Sequence, residues 1–115
     1  MHELSVALTL LDGLTEIAIP QGIARVSAVH VRVGALTGIA PDALSFSWEL
    51  AADGTLAAGS TLHVELMPLV VACERCQADV RPAPGHGLVC PRCGSVSPTI
   101  RSGRELELVA MEVPE

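Results

Sequence analysis

Four cysteines stand in two pairs, Cys73-Glu74-Arg75-Cys76 and Cys90-Pro91-Arg92-Cys93-Gly94, with thirteen residues between them. Two residues between cysteines let one tight turn aim both sulfurs at a single ion. Two such turns supply four thiolates at tetrahedral corners, the closed geometry of structural zinc. Gly94 follows the second turn, where a residue without Cβ adopts positive φ at little cost. Disulfides and idle thiols are the competing readings, and paired knuckles argue against both. Iron suits a four-sulfur site as well as zinc does, so the residues alone leave the ion open. Four thiolates leave no open coordination position, which excludes catalysis at this site.

The second candidate is Met1-His2-Glu3. At a free N-terminus the α-amine of Met1, the backbone nitrogen of His2 and its imidazole can chelate one ion in fused rings. Nitrogen donors in a square-planar or tetragonal set suit Ni(II) or Cu(II), and Glu3 adds a backbone nitrogen or a carboxylate. The bulk of His2 is expected to protect Met1 from removal. The plainer reading makes His2 a solvated terminal residue and Glu3 an acid at the positive end of a helix. Asp42 has the same two readings: a helix-dipole acid by default, or a carboxylate that reaches an ion held by the first helix's start. His63 reads as a solvated residue on the polar face of a strand, His30 as a packed or edge histidine, and His86 as a loop-tip residue.

These residues need elements to position them. Leu4, Ala7, Leu8, Leu11, Leu14 and Ala18 recur at spacings of three and four, predicting an amphipathic helix over 3–18 that ends at Pro20-Gln21-Gly22. Residues 25–33 alternate as a strand, with Val29, Val31 and Val33 on one face and His30 and Arg32 on the other. Pro41-Asp42 has the form of a helix start, for a helix over 41–51 that gives way to a turn at Asp53-Gly54. Residues 61–67 form a strand with Leu62, Val64 and Leu66 facing in. A last strand over 104–113 carries Leu106, Leu108 and Ala110 on one face. Prolines, glycines and all the cysteines concentrate between 70 and 99.

The expected fold is α+β: two helices on a small three-stranded sheet, with an inserted zinc-ribbon-like subdomain. Residues 1–69 and 100–115 form the main domain and residues 70–99 the metal-binding insert. The insert is poor in apolar residues, so its metal is expected to supply its folding energy.

Composition narrows the function. Half of the 115 residues are hydrophobic, which excludes disorder over most of the length. The net charge of −6, seven arginines without a lysine, and only Phe46 and Trp48 as aromatics disfavour binding to polyanions. No segment reaches the length of a membrane span, and His2, Glu3 and Asp12 do not suit a signal peptide. The expectation is a cytoplasmic protein in a reducing compartment, where cysteines serve metals. A hydrolase or transferase lacks its nucleophile–base pair. The alternatives to a metal carrier are a zinc-ribbon protein-interaction adaptor without a nickel role, and an electron carrier with iron on the four sulfurs.

Several motifs then converge. Met1-His2-Glu3-Leu4-Ser5, Val31-Arg32-Val33-Gly34, Pro41-Asp42-Ala43-Leu44, the Cys90-Pro91-Arg92-Cys93-Gly94-Ser95 knuckle, Gly103-Arg104-Glu105-Leu106 and Met111-Glu112-Val113 follow one another in order. In them the chain resembles the HypA/HybF hydrogenase nickel-insertion accessory proteins over essentially its whole length. The resemblance implies a nickel-binding domain of helices on a small sheet and a zinc domain held by Cys73, Cys76, Cys90 and Cys93. It implies that His2 is the essential nickel ligand, helped by the terminal amine of Met1, by backbone nitrogens and by Glu3, and that Asp42 matches an acidic position linked to nickel. It further implies Zn(II) as a structural ion and Ni(II) as transient cargo. The implied partners are a GTP-hydrolysing nickel chaperone and the large subunit of [NiFe]-hydrogenase, with urease maturation served by some members.

Overall fold

A computed structural model of the chain describes residues 2–115. The first helix, α1, runs over Glu3–Ala18. Its buried face is Val6, Ala7, Leu10, Leu11, Leu14 and Ala18, so Leu4 and Leu8 lie outside it, each 46% exposed. The apolar stripe is wider than the core can cover, and packing selects the side centred on Leu10 and Leu14. A short 3-10 turn over Ile19–Gln21 closes the helix, and Gly22 takes φ +72° so that the Ile23 amide donates back to Ala18 O.

Strand β1, Ala28–Gly34, is central, with Val29, Val31 and Val33 fully buried beneath the helices. It starts three residues later than alternation predicts, because Val26 and Ser27 donate instead to Leu56 O and Glu112 O. Helix α2, Pro41–Ala52, starts at the expected proline and provides the crossover that a parallel strand pair requires. Strand β2, Thr61–Met67, then runs parallel to β1, pairing Ala28 with Thr61 through Gly34 with Met67. Leu62 and Val64 pack on the core, but Leu66 is 54% exposed, because an edge strand has no neighbour to cover its outer flank. The three-stranded sheet has the order β2-β1-β6, with β6, Leu106–Glu112, antiparallel to β1.

A bulge in β6 changes its facing. His30 pairs with Ala110 and Val31 with Leu108, so Val109 is an extra residue on the β6 side. Leu108 and Met111 therefore pack on the core, and Ala110 lies on the opposite face, contrary to the alternation expected of Leu106, Leu108 and Ala110. Trp48 is completely buried in this core and donates its indole N–H to Ser60 Oγ at 2.9 Å. Both helices cover one face of the sheet, as expected for the α+β class.

A second sheet, in the order β4-β3-β5, comprises β3, Val70–Cys73, β4, Ala78–Val80, and β5, Ile100–Ser102. Its own small core consists of Val71, Val80, Cys73 and Cys90, so the sulfurs are part of the packing. Residues 100–102 pair with β3, and the chain rejoins the first sheet only at β6. Both crossings between the sheets are tied together. Ser102 Oγ donates to Pro68 O at 2.7 Å, and the Leu36 amide donates to Gly103 O at 2.8 Å.

Candidate metal centres

Cys73 ends β3, and Cys76 lies in the turn that leads to β4. Cys90 and Cys93 lie in a second turn, between the paired residues Val89 and Val96. In each knuckle the residue after the second cysteine is left-handed: Gln77 at φ +53° and Gly94 at φ +76°. Gly94 is the residue expected there, whereas Gln77 adopts a conformation that L side chains disfavour. Its side-chain amide donates to Glu74 O, within its own turn. In the second knuckle the Gly94 amide donates to Cys90 O at 2.9 Å, and the Cys90 amide donates to Ser95 O at 2.8 Å.

The four sulfurs converge, all within 4.8 Å of one another. Cys73 and Cys93 are 3.6 Å apart, and Cys76 and Cys90 are 3.9 Å apart. A tetrahedral ion with metal–sulfur bonds of about 2.3 Å requires sulfur–sulfur edges of about 3.8 Å. Those two edges match such an ion, and the remaining sulfurs are close enough to complete the set. Without a cation the thiols divide the protons unevenly. Hydrogen bonds from Ser95 lower Cys93 to about 6, whereas its hydrogen bond to Cys93 pushes Cys76 up to about 12. A divalent cation removes this conflict by holding every coordinating sulfur as thiolate.

At the other end of the chain, His2 is the exposed N-cap of α1, and Met1 lies outside the described residues. Glu3, in the first turn, takes part in an unforeseen contact: its Oε1 accepts from the Ala40 amide at 3.4 Å. Its own amide and that of Ala40 hold the Glu3 carboxyl below the ordinary range. Ala40 is the N-cap of α2, and Asp42 lies in that helix's first turn. The starts of the two helices are thus joined. Among the described residues, His2, Glu3 and Asp42 do not converge as the cysteines do.

The family model described as "Hydrogenase/urease nickel incorporation, metallochaperone, hypA" matches residues 1–113. The chain belongs to the HypA family. The hydrogenase maturation factor HypA of Chloroflexus aurantiacus is 46% identical over 114 residues, covering 99% of this chain and all of its own. That of Thermomicrobium roseum is 41% identical, covering 98% of both chains. The solution structure of the Ni metallochaperone HypA from Helicobacter pylori superposes with a TM-score of 0.69 over 98% of this chain and 97% of its own. At 23% identity that likeness speaks for the fold. This is a hydrogenase maturation factor family of metallochaperones, and its fold accounts for both sheets of the chain.

The histidines hold one arrangement that periodicity missed. His30 and His63 are register partners on β1 and β2, and their rings stack at 4.6 Å with planes 12° apart. His30 Nε2 lies 2.8 Å from Glu112 Oε2 on β6. Alternation reads His63 as solvated and His30 as a packed or edge histidine, and it carries no signal for their pairing or for Glu112. His86 lies in an exposed turn, as expected.

Proposed function

We propose that this chain is a carrier, not an enzyme: it takes Ni(II) on its N-terminal segment and passes it to the large subunit of [NiFe]-hydrogenase. The observation that carries this reading is the Glu3–Ala40 hydrogen bond, which fastens the start of α1 beside the start of α2. His2 stays exposed at the tip, and Asp42 follows two residues after Ala40. The proposed donors are the amine of Met1, the backbone and imidazole nitrogens of His2, and the Glu3 and Asp42 carboxylates, a set rich in the nitrogens that Ni(II) favours. Such ligands can be replaced one at a time by those of an acceptor, without opening a core. The GTP-hydrolysing nickel chaperone and the hydrogenase large subunit are the partners in this reading, with urease maturation as a further recipient and the cytoplasm as its setting.

Cys73, Cys76, Cys90 and Cys93 would hold Zn(II), whose contribution is to neutralise four thiolates and close both knuckles. With no open position, that centre shapes the subdomain that holds β3, β4 and β5, while the β2-β1-β6 sheet and its two helices form the nickel-carrying domain.

The test is Ni(II) titration of zinc-loaded, untagged protein beside His2→Ala. The native chain should bind about one Ni(II) per chain more than the variant, with zinc content equal. Nickel displaces protons from the amine and amides, so affinity should fall between pH 8 and pH 6. A flat pH dependence, or equal tight binding by His2→Ala, would replace the carrier with a zinc-ribbon adaptor.

A further inference from the structure

We infer that the open face of the β2-β1-β6 sheet carries a second, exchangeable site for a borderline divalent transition ion, made by His30, His63 and Glu112. One imidazole nitrogen from each histidine and a carboxylate oxygen of Glu112 all lie within 4.8 Å of one another. Three ligands on one ion with bonds of about 2.0–2.2 Å must lie within about 4.3 Å of each other. The remaining closure is side-chain rotation: His30 and Glu112 are 39% and 60% exposed at their side chains, and His63 is exposed.

The backbone holds the set together. Parallel register places His63 directly beside His30. The bulge at Val109 turns the end of β6 over, bringing Glu112 to the face of His30 instead of the core face. Residue 110, opposite His30, is an alanine, which leaves a shallow depression above the sheet lined by His30, His63, Val109 and Ala110. Arg32, two residues along β1 on the same face, is engaged by Glu65 at 2.8 Å.

Two neutral imidazoles and a carboxylate carry one negative charge together, in a chain of net charge −6. Imidazole selects Ni(II), Zn(II) and Cu(II) over Mg(II) and Ca(II). Binding replaces the hydrogen bond between His30 and Glu112: the neutral His30 ring keeps its proton on Nδ1, and the lone pair of Nε2 takes the ion. Three protein ligands leave at least one position to solvent, so the ion exchanges, in contrast to one enclosed by four sulfurs. The site lies on the sheet face away from both helices and is independent of the N-terminal chelate.

The experiment is calorimetric Ni(II) titration of the zinc-loaded full chain in the His2→Ala background. That protein should still bind one Ni(II). Adding His63→Gln or Glu112→Gln should each weaken that binding at least tenfold. His86→Ala and millimolar Mg(II) should change nothing, and Trp48 fluorescence and zinc content should show every variant folded. The site is refuted if His2→Ala binds no nickel, if either added substitution leaves the affinity unchanged, or if Mg(II) competes. Comparing the native chain with His2→Ala in a His63→Gln background reads the N-terminal site alone, so the two sites fail separately.

Discussion

Gly34→Ala should destabilise the protein by several kcal/mol while Gly13→Ala stabilises it, although each adds one methyl group. A Cβ on Gly34 would lie 2.1 Å from Gly103 O, 2.2 Å from its carbonyl carbon and 2.6 Å from the Arg104 nitrogen. Carbon contacts settle at about 3.5–4.0 Å, so the facing peptide must retreat by more than about 1 Å. It is pinned: Gly34 N–H donates to Glu105 O at 2.7 Å, and Gly103 O accepts from Leu36 at 2.8 Å. Losing both hydrogen bonds costs about 1 kcal/mol each, and forced overpacking adds about 1–3 kcal/mol. A loss of about 3–5 kcal/mol is a large share of a stability of about 5–15 kcal/mol. Gly13, in the middle of α1, has nothing within 4 Å of its Cβ position, so alanine there gains about 0.5–1 kcal/mol of helix propensity. The assay is equilibrium denaturation of zinc-loaded protein followed by Trp48, the single tryptophan, buried in the first core. If Gly34→Ala lies within about 0.5 kcal/mol of the parent, or Gly13→Ala destabilises, the close approach of β1 to the Gly103 crossing is wrong.

Cys76→Ser should release the proposed ion and expose the amides of β3, β4 and β5 to hydrogen exchange, while Trp48 fluorescence keeps its native value, because the two cores share no residue. Ser60→Ala should cost about 1–3 kcal/mol in the same denaturation assay, since it strands the buried indole N–H of Trp48. The Glu3 carboxyl titrates below its ordinary value of 4.5, so its stabilising contribution is present above that pH and is lost as pH falls through the lowered value. Glu3→Gln should remove this acid-side dependence, and carboxyl titration by NMR should place Glu3 below 4.5.

Much of this protein was legible in its residues. Two C-x-x-C pairs at this spacing determine a four-sulfur centre because tight turns are local, and the structure converges Cys73, Cys76, Cys90 and Cys93 as that spacing requires. Helix periods and the Pro41 start are local as well, and α1, α2 and β2 lie where pattern places them. What escaped was decided by long-range packing. The side of α1 to be buried, Leu10 instead of Leu4 and Leu8, depends on where the sheet lies, and the pairing of β5 with β3 depends on which strand it meets. Glu3 reaches Ala40 across thirty-seven positions of sequence, which no local propensity encodes. The clearest case is the end of β6. Simple alternation assigns Ala110 and Glu112 to the same face as Leu108, but one extra residue against β1 reverses them. A bulge is a property of two paired strands, so only the tertiary structure could bring Glu112 to His30 and His63.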